Sequence, residues 1–119
     1  MVEPPLVLCI ERERSAAKAL ERVLTRAGYI VVTVTRERDA LVILPALERL
    51  PDLILTGLEL ETPAGLSLLR ALKRTPAYAS IPVGMVSTMP RVRIGDTYAR
   101  RLLSAEDVLR AVNALLPRP

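Results

Sequence analysis

Residues 6–10 read LVLCI, and three further short apolar runs follow at Tyr29 to Val34 (YIVVTV), Leu53 to Leu58 (LILTGL) and Pro82 to Val86 (PVGMV). Three of the four are rich in β-branched residues. At five or six residues each they fit strands covered on both faces, which in parallel sheets read as nearly continuous hydrophobic runs. Helical patterns lie between them. Ala16, Leu20, Val23, Leu24 and Ala27 recur at helical spacing and Gly28 follows as a stop, which predicts an amphipathic helix of about fourteen residues. Ala40, Leu41, Leu44 and Leu47 predict a second helix, kinked or cut short at Pro45 because proline lacks the helical donor. A third opens at Thr62 with Pro63 as its first residue and stops before Pro76. A last helix opens at Ser104, with Asp107 placed as in a capping box, and carries Val108, Leu109, Val112, Leu115 and Leu116.

Buried strands alternating with single crossover helices specify a doubly wound α/β layer, whose sites lie at the carboxyl ends of the strands. With 119 residues, residues 1–119 are read as one domain. Half of the residues are apolar and a quarter are charged, a globular composition. The chain has no His and one Cys. Ser-His-Asp and Cys-His catalysis are therefore excluded, together with imidazole-dependent zinc sites and internal disulfides. No apolar run reaches membrane-spanning length and Met1 to Pro5 lack a signal-peptide pattern, so a cytoplasmic protein without membrane contact is expected. Cys9, inside the first run, is expected to be a buried small hydrophobe rather than a reactive thiol.

LVLCIERERS (6–15), GYIV (28–31), PDLILTGL (51–58), GLSLLRAL (65–72), IPV (81–83) and the Ser104 to Leu116 helix together resemble the receiver domain of bacterial two-component response regulators. The resemblance covers almost the whole chain and implies a flavodoxin-like, doubly wound sheet of five parallel strands. It also implies a pocket in which two adjacent acids bind Mg²⁺, an Asp accepts a phosphoryl group, and a hydroxyl residue and a Lys complete the site. Clustered carboxylates hold a hard cation, and the cation neutralises charge on the transferring group.

In this chain the acid pair falls on Glu11 and Arg12, the phosphoacceptor position on Gly57, the hydroxyl position on Ser87 and the Lys position on Arg101. Glu11, Arg12 and Arg101 together carry +1 where the family pattern carries a net negative charge. No phosphoacceptor, catalytic residue, metal site or cofactor is therefore expected. Glu59 could join Glu11 around a cation only against competition from Arg12, and Thr56 points away from the pocket direction of residue 57 by strand alternation.

Length departs from the family as well. Ser87 to Arg101 spans fourteen residues, too few for a loop, a complete crossover helix and a strand. The fourth crossover helix is expected to be missing or shortened. The fifth strand is placed near residues 97 to 102, with a hairpin from Val92 and Ile94 as the alternative.

These readings make the chain a phosphorylation-independent pseudo-receiver, a regulatory module and not an enzyme. Its expected partner is another signalling protein or a second copy docking over the fourth and fifth strands; the alternative for residues 89 to 97 is an irregular lid over that face. A second function is a sensor binding a small anion between Arg12 and Arg101, with Arg12 pairing internally with Glu11 or Glu59 as the plainer option. An enzyme on the same scaffold would need a glycine-rich phosphate loop after the first strand, and there is none. Arginines and acids are mixed around the strand ends and aromatics are scarce, so nucleic-acid binding is not expected.

Overall fold

The computed structural model describes residues 3–57, 63–85, 91–94, 97–100 and 105–116. Strand β1 (Leu6–Ile10), helix α1 (Arg14–Arg26), β2 (Ile30–Val34), α2 (Glu37–Ile43), β3 (Leu53–Thr56), α3 (Pro63–Arg74) and β4 (Val83–Met85) alternate in that order. Beyond them come β5 (Arg91–Ile94), β6 (Thr97–Arg100) and α4 (Ala105–Leu115). The first four strands form one parallel sheet in the order β2-β1-β3-β4. Among the described residues no helix is long and apolar enough to cross a membrane.

Strand alternation builds two cores. Val7, Cys9, Leu53 and Leu55 face Leu20 and Leu24 of α1 and Val108 and Val112 of α4. Leu8, Ile10 and Ile54 face the other way, onto Ala40, Leu44, Leu68, Leu72 and Ile81. β1 and β3 are buried along their whole length, as their unbroken apolar runs require. β2 is only partly buried because it forms the edge of the sheet, and Ile30 is 46% exposed there.

The local signals act where their chemistry says they must. Gly28 takes φ +96°, the left-handed turn that closes α1. Pro45 ends α2 at Ile43, and the chain continues as a single 3-10 turn over Leu44–Ala46. Pro63 opens α3. The proposed caps Thr62 and Ser104 lie outside the described residues. At the amino edge of the sheet, Leu6 N–H donates to Asp52 Oδ2 and Asp52 N–H donates to Leu6 C=O, both at 2.8 Å, which pins β1 to the start of β3.

The expectation of five parallel strands is corrected. The described parallel sheet has four, and the segment placed as the fifth strand forms β6, which pairs antiparallel with β5 from Arg91↔Arg100 to Ile94↔Thr97. The reason is chain length. β4 ends at Met85 and β5 begins at Arg91, leaving the five residues 86–90, whereas a parallel crossover needs a dozen or more. Gly95-Asp96 between β5 and β6 is a dipeptide suited to a two-residue hairpin. The hairpin alternative is thus the one observed, and the fourth crossover helix is absent among the described residues.

A Cβ on Gly28 would meet nothing within 4 Å, so substitution there tests the backbone alone. Gly28→Ala is expected to cost about 1 kcal/mol through its positive φ. For a chain of 119 residues this lowers the melting temperature by about 4 °C; an unchanged melting temperature would contradict the assigned turn.

Candidate functional site

The register of β1 against its two neighbours brings two of the sequence-predicted positions together at the carboxyl edge. Glu11 N–H donates to Val34 C=O at 3.0 Å, carrying the β1–β2 pairing one residue past the strand, and Gly57 N–H donates to Ile10 C=O at 2.8 Å. Glu11 and Gly57 therefore leave adjacent strands side by side. Glu11 is buried, at 9% exposure. Its Oε1 accepts a hydrogen bond from Glu13 N–H at 3.2 Å, which turns the carboxylate back toward β3. A Cβ built on Gly57 would collide with Glu11 Oε2 and lie 2.7 Å from its carboxyl carbon. The carboxylate of Glu11 thus fills the space in which a side chain at residue 57 would begin.

Arg12 behaves differently from its neighbour. Its side chain is 62% exposed and reaches over the α2 end of the sheet, where Nη2 lies 4.0 Å from Glu37 Oε2. Pairing with Glu11 is therefore corrected: among the described residues Glu37, at the start of α2, is the carboxylate within 4.0 Å of the Arg12 side chain. Glu59, Ser87 and Arg101 lie outside the described residues, so pairing of Arg12 with Glu59 and the Arg12–Arg101 anion pocket fall there too. Thr56 is fully buried.

Glu37 was not legible as a partner of Arg12 until the strand order was known. Its signal was positional: residues 35–38 follow β2, and β2 lies beside β1. Cys9 is fully buried, and its thiol is pushed up to about 12 by burial first and by the negative charges of Glu21 and Glu11 second.

The receiver-domain family model of response regulators matches residues 7–108. The chain belongs to this family. Solved receivers align over nearly the whole molecule. Chemotaxis response regulator CheY4 of Vibrio cholerae superposes with a TM-score of 0.70 at 17% identity, covering 95% of this chain and 99% of that one. A response regulator receiver protein from Pseudomonas putida gives 0.63 at 25% identity, over 96% and 79% of the two chains. The N-terminal domain of a receiver protein from Methanoculleus marisnigri gives 0.62 at 24% identity, over 96% and 98%. No curated protein matches the sequence.

The Mg²⁺ that a receiver pocket implies does not fit the residues described here. Of the acid pair only Glu11 is acidic, its carboxylate is held by Glu13 N–H over Gly57, and its neighbour is a cation. Among the described residues no group of three His, Cys, Asp or Glu side chains is placed to hold a metal ion.

Two measurements follow from these contacts. Gly57→Ala must displace the Glu11 carboxylate from its bond to Glu13, costing on the order of 1 kcal/mol in chemical denaturation. That cost disappears in a Glu11→Ala background; equal costs in both backgrounds would contradict the contact. For Cys9, the folded chain retains its proton between the ordinary thiol value of 9.0 and about 12 while the unfolded chain loses it, so stability falls as pH rises through that window. The native thiol is expected to resist a soluble thiol reagent at mildly alkaline pH and to react on unfolding.

Proposed function

We propose that this receiver acts without phosphorylation, as a regulatory module that works by binding another signalling protein or a second copy of itself. The observation that carries this reading is the Glu11 carboxylate seated over Gly57. An acyl phosphate needs a carboxylate with open space before it, and Gly57 supplies none. Glu11 is buried and its Oε1 is engaged by the backbone, so it makes a poor replacement. With Arg12 in place of the second acid, and its side chain turned away toward Glu37, one of the two carboxylates that would hold a hard cation is missing. What the domain retains is its shape: both cores, the parallel sheet and the α1 and α4 layer. Binding rather than catalysis is the use that such a shape supports.

The surface we assign to a partner is the β4 side of the molecule. Among the described residues the parallel sheet ends at β4 with no strand paired on its outer side, and an unpaired sheet edge is a template for association. In sedimentation the chain is expected to self-associate at high micromolar concentration; a strict monomer would remove the homodimer and leave the heterologous partner.

Incubation with Mg²⁺ and a small phosphodonor is expected to leave the intact mass unchanged. A base-labile gain of about 80 Da would overturn the proposal. Gly57→Asp alone is expected to remain unmodified, because the new carboxylate must displace that of Glu11 and residue 12 still supplies no second carboxylate. Gly57→Asp combined with Arg12→Asp is the variant expected to gain the adduct. Modification of the single variant would contradict the requirement for a second carboxylate at residue 12.

A further inference from the structure

Arg12 leaves the acceptor pocket, and where it goes defines a second feature. On the side of β1 away from Gly57, the segment after β1 and the segment after β2 enclose an open groove of about 400 Å³ lined by Arg12, Thr35, Arg36, Glu37 and Arg38. We propose that this groove binds a small phosphate-bearing molecule. The reading stands independently of how the acceptor position behaves.

Charge is the first support. Three guanidiniums and one carboxylate line the groove, a net +2. Two of the three are held only in exposed pairs, and the Asp39 carboxylate bonded to Arg36 lowers the local charge to +1. Arg12 reaches Glu37 at 4.0 Å, and Arg36, 58% exposed, reaches Asp39 Oδ2 at 3.2 Å. Exposed pairs of this kind contribute little in water, so an entering dianion can take over either guanidinium at small cost. Arg38 is exposed and has no carboxylate within 4.0 Å among the described residues. The Arg36 side chain precedes α2 without making a capping bond, so it is not committed to holding the helix.

Shape and chemistry supply the rest. The volume falls in the range of small-molecule sites, and the position is the carboxyl edge of the sheet, where α/β folds place ligands. Guanidinium forks bind phosphate oxygens two at a time, and a phosphate monoester offers three oxygens to donors arriving from two chain segments, one more than a carboxylate. The Thr35 hydroxyl adds a neutral donor on the same wall.

A built-in control separates this site from bulk charge. A second concavity of about 390 Å³ is lined by Lys18, Glu21, Arg22, Thr25 and Arg26, again three cations, one Glu and one Thr. Those residues all lie on α1, so their cations succeed one another along a single helix surface, whereas the first groove is lined from two chain segments, Arg12 after β1 and residues 35–38 after β2. Attraction by charge alone would treat the two places alike.

The test titrates inorganic phosphate, pyrophosphate and citrate into the full chain at constant ionic strength, by calorimetry. Saturable one-to-one binding of pyrophosphate, tighter than that of citrate, is expected. Arg36→Ala/Arg38→Ala should weaken it at least tenfold, Arg22→Ala/Arg26→Ala should change it less than twofold, and Glu37→Gln should strengthen it. Absence of saturable binding at millimolar pyrophosphate, equal weakening by the two double variants, or citrate binding as tightly as pyrophosphate would each overturn the proposal.

Discussion

The pairing of β1 with β2 on one side and β3 on the other is the constraint from which the rest of the molecule follows. Five consecutive buried residues are hydrogen-bonded along both edges, in a register running from Leu6↔Ile30 and Val7↔Leu53 to Ile10↔Val34 and Ile10↔Thr56. A slip of one residue would exchange the two cores, sending Val7 and Cys9 to the face that holds Leu8 and Ile10. With the register fixed, Glu11 and Gly57 must emerge side by side. The loops after β1 and β2 must likewise meet, which brings Arg12 to Glu37.

Glu11 and Gly57 form a complementary pair. Removing the side chain at residue 57 opens space at the end of β3, and a glutamate at residue 11, one methylene longer than an aspartate, reaches across to fill it. The carboxylate stays buried, with Glu13 N–H satisfying one oxygen. Burial of a charged group is costly without such partners, so the contact gives both residues a structural role at the position where receivers carry out chemistry. Arg12 is released from that position and lies with the cations after β2.

The parallel sheet and its helices were legible because their signals are local. Continuous apolar runs marked β1 and β3, and Gly28, Pro45 and Pro63 each acted at the boundary where it stands. The expected fifth strand is found in its place, at β6, but with another partner and direction, for a physical reason. Its residues carry strand propensity, but partner and direction are decided by the length of the connection: two residues join β5 to β6, enough for an antiparallel hairpin, whereas a parallel crossover would need many more. The chemical vacancy at Gly57 was equally legible. The direction of the two side chains beside it was not, since whether Glu11 turns inward and Arg12 outward depends on the Glu13 N–H and on Glu37, contacts that exist only once the strands are ordered.

The central claim is that the acceptor pocket is filled from within, and a magnesium titration followed by backbone amide chemical shifts tests it most directly. The account predicts that Glu11, Arg12 and Gly57 show no saturable shift up to millimolar Mg²⁺ beyond that of a matched monovalent salt. A saturable response centred on Glu11 and Gly57 would contradict it.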